Sequence, residues 1–115
     1  LDLAAMRAEL PDLVGTRDFK AFAASGSCVK DTVRTVRSAE IFQEGGEFAL
    51  FVEGNGFLYN MVRIIAGTLI SVGAGRLAPG AFRRAMETKD RLDLGVTAPA
   101  HGLTLMQVFY EGDRL

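Results

Sequence analysis

The sequence predicts an α+β fold, with helices packed on one face of an antiparallel sheet. Three observations carry this: apolar residues at helical spacing near the start and in the middle of the chain, two β-rich runs flanking Gly45-Gly46, and a final run, LTLMQVFY, that is apolar on both faces. With 115 residues, 49% hydrophobic and 23% charged, the chain has the size and apolar content of one domain and the means to build a core without disulfides or metals.

Leu3, Met6, Leu10 and Leu13 recur at i, i+3, i+7 and i+10, marking one face of a helix that Pro11 ends or kinks. In TRDFKAFAAS, Thr16 or Asp18 is a candidate N-cap and Phe19 and Phe22 stand three apart, so a short second helix with both rings in the core is expected. Ser25-Gly26-Ser27 reads as a loop. DTVRTVRSAEIFQE and EFALFVEG then form a hairpin. Phe48, Leu50 and Val52 share a face of its second strand, whereas Val36 and Ile41 fall out of phase in the first, implying a bulge or an edge irregularity.

Residues 57–72 have helical length, with a stripe of Leu58, Val62, Ile65, Leu69 and Val72 that Met61 and Ile64 widen. The run is short for a membrane span and is interrupted by Asn60 and Arg63, so a helix buried in a globular core is expected. Gly67 in its middle implies close packing against another element. GAGR ends the helix, and Pro79 suits the first turn of another, PGAFRRAMETKD, in which Phe82 and Met86 lie one turn apart. After a loop, VTAPAHG, comes the last strand: Leu103, Leu105 and Phe109 face one way, Met106, Val108 and Tyr110 the other, as in a central strand. Three strands are few for such a sheet, so its completion by another part of the protein is expected.

The formal charge of −1, from 13 Lys plus Arg against 14 Asp plus Glu, provides no bulk attraction to nucleic acid or membrane; any polyanion must be held by a local patch. A single cysteine, Cys28, excludes an internal disulfide, and a single histidine, His101, leaves too few soft ligands for zinc; a reducing, cytoplasmic setting is expected. Neither residue stands in a catalytic pattern. The chain starts at Leu1 without the signal-peptide series and reads as a piece of something longer.

Arg63 is the one charge in GNGFLYNMVRIIAGTLISVGAGR, and three and four residues away stand Tyr59, Asn60, Ala66 and Gly67, so no acid on its own helix neutralises it. A carboxylate, phosphate or carbonyl cluster from elsewhere is expected to meet it; a structural salt bridge or a snorkelling side chain is the plainer alternative. Lys30, Arg34 and Arg37 lie in or just before the first hairpin strand, where Arg34 and Arg37, an odd number apart, would face opposite ways. On their own they read as solvated charges, as do Arg83 and Arg84 on a helix. The glycines of GNG and GAG match no nucleotide-binding loop and are expected to shape helix ends.

Taken in order, DFKAF, DTVRTV, GNGFLYNMVRIIAGTLISVGAGR, KDR and TAPAHGLTL resemble the carboxy-terminal half of the tRNA pseudouridine synthase A family, over nearly the whole chain. The resemblance implies one half of a fold of two similar α+β halves sharing a continuous antiparallel sheet, with a cleft between them. It implies an enzyme that isomerises uridine to pseudouridine in the tRNA anticodon stem-loop, a homodimer using no metal or organic cofactor and no membrane. The family's catalytic aspartate lies in the amino-terminal half within a Gly-Arg-Thr-Asp stretch, which these 115 residues do not contain. By resemblance, Arg63 would pair with that aspartate, Leu58 and Tyr59 would wall the cleft, and Lys30, Arg34 and Arg37 would contact RNA. The chain alone is expected to be inactive. Readings from other classes are a catalytically inert RNA-binding or dimerisation module and a purely structural interaction domain.

Overall fold

A capped helix opens the chain. In the computed structural model, which describes residues 2–23, 32–44, 47–54, 61–95 and 106–110, Asp2 accepts the Ala5 N–H at 3.1 Å and so starts α1 (Leu3–Glu9). Pro11 converts the continuation into a 3-10 turn, Leu10–Leu13. Met6, Leu10 and Leu13 are buried as their spacing predicts.

The expected second helix is absent. Thr16 and Asp18 belong instead to a strand, β1 (Gly15–Asp18), and only the 3-10 turn Lys20–Phe22 remains of the helical pattern. The cause is local. Asp18 does cap a turn, accepting the Lys20 N–H at 3.1 Å, but Gly15 to Asp18 find partners in the next strand. Phe19 and Phe22 are fully buried, with ring centroids 5.2 Å apart and edge-on; Phe22 in turn stands 5.6 Å from Phe82.

The hairpin consists of β2 (Val33–Glu44) and β3 (Glu47–Gly54). The register jumps between the Val36–Gly54 and Ser38–Glu53 pairs, leaving Arg37 as the extra residue of a bulge. This is why Val36 and Ile41, out of phase in sequence, are both buried. The last strand, β4 (Met106–Tyr110), pairs with β3, so the sheet order is β1-β2-β3-β4.

Three strands are thus antiparallel, and β4 runs parallel to β3. The long helical connection brings the chain back to the starting end of β3 before it extends again, as parallel pairing requires. Among the described residues β4 lies at the edge of the sheet rather than in its centre.

That connection contains α2 (Met61–Gly73) and α3 (Ala81–Thr88). The apolar stripe of α2 centres on Met61, Ile64, Ile65, Leu69 and Val72, while Val62 is half-buried. No described helix is long and apolar enough to cross a membrane. Its end is a Schellman cap: Gly75, at φ +77, donates to Val72 and Arg76 donates to Ser71 at 2.8 Å. Gly80 rather than Pro79 precedes α3, whose first turn is capped by a distant side chain. Glu9, 2% exposed, accepts the Gly80 N–H at 2.8 Å and the Phe82 N–H at 3.5 Å, fastening α1 to α3.

Gly67 has the close neighbour its position implies. Gly95 lies directly against α2, its N–H donating to Thr68 Oγ1 at 2.9 Å while that hydroxyl donates to the Ile64 carbonyl at 2.8 Å. A Cβ on Gly95 would stand 2.9 Å from the Gly67 carbonyl oxygen and from Thr68 Cα.

Candidate functional site

One row of pairs crosses the whole sheet at the end where β3 leaves for α2: Gly15 with Val36, Val36 with Gly54, Gly54 with Tyr110. Several of the basic residues singled out in the sequence are placed by this row. Arg37 follows Val36 and is exposed at the bulge, so the alternation that would set it opposite Arg34 does not hold across this point. Arg34 is half-buried, and its Nη1 donates to the Val33 carbonyl at 2.8 Å. The chain then passes through residues 55–60 to α2, whose first described turn carries Arg63, half-buried among the buried Met61, Ile64 and Ala66. Lys30, Leu58, Tyr59, Cys28 and His101 lie outside the described residues.

The KDR motif holds the other end of this region together. Lys89 ends α3 in the left-handed conformation, φ 58, and its ammonium lies 3.6 Å from Asp18 at the end of β1. The Thr32 hydroxyl also donates to Asp18, and this bond is the main reason the carboxyl titrates below its ordinary value; the Lys20 amide and Lys89 act in the same direction, against some desolvation. Asp90 accepts the Leu92 N–H at 2.9 Å, and Arg91 donates to the Gly95 carbonyl at 2.7 Å. Partial burial lowers the pKa of Arg91, which still stays charged. KDR therefore positions the segment leading to TAPAHGL.

Arg84 is not the solvated charge its sequence position implies. It turns back to donate to the Pro79 carbonyl at 2.7 Å and the Ala78 carbonyl at 3.0 Å, bracing the approach to α3, whereas Arg83 is exposed. Arg17 was not singled out by the sequence reading. It faces Arg34 across the β1–β2 ladder, in a strand taken for a helix start.

Two open grooves lie elsewhere. One, of about 680 Å³, is bordered by Arg7, Pro11 and Phe42; the other, of about 370 Å³, by Ser38, Phe51 and Glu53. Among the described residues, neither is lined by Arg34, Arg37 or Arg63. Among the described residues no cluster of three or more His, Cys, Asp or Glu is arranged to hold a metal ion.

The described fold is an α+β sheet backed by helices, with Arg17, Arg34 and Arg37 on the β1–β2 ribbon and Arg63 in the first described turn of α2. Residues 10–111 match the family model described as tRNA pseudouridine synthase, and the chain belongs to that family. It is 48% identical over 110 residues to tRNA pseudouridine synthase A of Exiguobacterium sibiricum, covering 96% of this chain and 44% of that protein. The enzyme of the same name from Bacillus licheniformis is 47% identical over 111 residues, and that from Bacillus subtilis 42%, each with 96% of this chain and 45% of the relative covered. The chain thus spans a little under half the length of these curated relatives.

Proposed function

We propose that this chain is the carboxy-terminal half of an enzyme that isomerises uridine to pseudouridine in the anticodon stem-loop of tRNA, working in the cytoplasm as a homodimer. The observation that carries the reading is the family match over residues 10–111 together with a span of 44–45% of the relatives. The catalytic carboxylate is assigned to the other half, within a Gly-Arg-Thr-Asp stretch. These 115 residues contain none.

In this reading the chain supplies three things. Arg63 pairs with the catalytic aspartate, keeps it ionised and holds its oxygens in place through a charge-assisted bond. Leu58 and Tyr59 wall the cleft that takes the flipped uridine. Lys30, Arg34 and Arg37 meet the phosphates. The aspartate then assists as the bond between ribose C1′ and N1 breaks and the same uracil rejoins C1′ through C5; the C5 proton leaves and N1 takes one up, so the isomerisation balances and no cofactor is consumed. The support for Arg63 is its place in FLYNMVR.

The test is pseudouridine formation on an unmodified tRNA transcript by the intact protein. Arg63→Ala is expected to lose activity by at least two orders of magnitude, and Arg63→Lys to recover part of it, because an ammonium keeps the charge but not the planar fork. Wild-type turnover in Arg63→Ala would sink the Arg63 assignment, and an intact wild-type protein that forms no pseudouridine would leave an inert binding or dimerisation module as the better reading.

A further inference from the structure

Arg17 occupies an unusual position for a solvated charge. β1 is a four-residue edge strand, and its register sets Arg17 directly across from Arg34. Like charges directly opposite one another weaken strand pairing. The neighbouring pair is complementary, since Thr16 and Thr35 join their hydroxyls at 2.8 Å.

The Arg17 side chain is also pre-arranged. Its Nε donates to the Val14 carbonyl at 3.0 Å, folding the guanidinium back along β1. Nε and one terminal nitrogen then lie 3.7 and 3.9 Å from the point where a Cβ on Gly15 would stand, room that the glycine leaves. The head group thus sits at the row of pairs crossing the sheet, where Arg37 is extruded by the bulge. Among the described residues no acceptor meets the terminal nitrogens of Arg17.

Basic residues are unevenly spread along the ribbon. Arg17, Arg34 and Arg37 gather in its first part, and the nearby Asp18 is already engaged by Thr32 and Lys89. Residues 38–54 carry Glu40, Glu44, Glu47 and Glu53 and no Lys or Arg. Glu44 and Glu47 pair beside the hairpin turn and repel a polyanion there, whereas Glu53 pairs with Ser38 next to the bulge.

We propose that Arg17 is a phosphate-binding residue which, with Arg34 and Arg37, forms a three-arginine track along the β1–β2 ribbon for the backbone of the RNA substrate. This rests on the tRNA-modifying reading above. Guanidinium suits the task because its planar fork matches phosphate oxygens with two parallel bonds. The track leads toward the sheet end from which the chain enters α2 and Arg63. A plainer role for Arg17, a charge that keeps the short edge strand from pairing with another chain, involves no RNA.

The deciding experiment measures binding of an unmodified tRNA transcript to the intact protein over a series of salt concentrations. Arg17→Gln is expected to weaken binding several-fold and to make the slope of log K against log salt shallower by about 0.7–0.9, the loss of one phosphate contact. Arg17→Lys keeps the charge and is expected to keep the slope. Arg83→Gln, on the exposed face of α3, serves as the control and leaves both quantities unchanged. An unchanged slope in a folded Arg17→Gln protein overturns the proposal, as does an equal change in Arg83→Gln. Turnover by the intact wild-type protein alongside an unchanged slope in Arg17→Gln removes this proposal alone; no pseudouridine from the intact wild-type protein removes the functional reading beneath it.

Discussion

Gly95 is where a single atom matters most. It sits against the backbone of α2, with Gly67 and Thr68 so close that a Cβ would need 2.9 Å contacts, and neither is a side-chain tip able to swing away. Gly95→Ala is therefore expected to destabilise the fold by on the order of 1–3 kcal/mol, the usual range for overpacking, read as a lower denaturation midpoint with an unchanged m-value. Gly67 announced the close approach in the sequence, but its partner did not: Gly95 lies 28 positions away by number, in a stretch without periodicity. The same holds for Arg84 and for the contact between Lys89 and Asp18. Each depends on where a side chain folds back, and a pattern of residue types carries no such information.

Among the elements, those with strong periodicity came through as predicted. The α1 stripe, the stop at Pro11, the core phenylalanines and the bulged hairpin follow from apolar spacing, because burial imposes the period of the backbone on the sequence. β1 did not come through. Four residues, Gly-Thr-Arg-Asp, give no alternation, and Thr and Asp serve equally as helix caps and strand ends, so only pairing with β2 decides. The direction of β4 was also hidden, since it depends on the route of the whole connection through α2 and α3. Docking of α3 is a tertiary matter as well, resting on the Glu9 carboxylate at its N-terminus. Glu9→Ala leaves those amides without that acceptor and is expected to lower stability by about 1–2 kcal/mol, while Glu9→Gln, which retains an acceptor oxygen, loses less; chemical denaturation of the two variants checks the order.

For the molecule as a whole, the described sheet has two outer strands, β1 and β4, of different character. β1 is short and polar, a suitable border. The β4 sequence, MQVFY, is apolar enough for the interior of a larger sheet, and the proposed amino-terminal half would extend the sheet on that side. Of the proposed site, the arginines were visible in the sequence because charge is rare in an apolar helix and clustered in a β-rich strand. The place of Arg17 and Arg37 on the ribbon was not, because the bulge at Arg37 and the return of Arg17 toward Gly15 are features of the folded sheet.

The central claim is that the chain holds the arginine side of an active site and lacks its carboxylate. The most direct measurement is to incubate the purified 115-residue chain with an unmodified tRNA transcript, alongside the intact protein, and to quantify pseudouridine by nucleoside chromatography. Product from the intact protein and none from the chain alone is the expected result. Pseudouridine formed by the 115 residues themselves would contradict it.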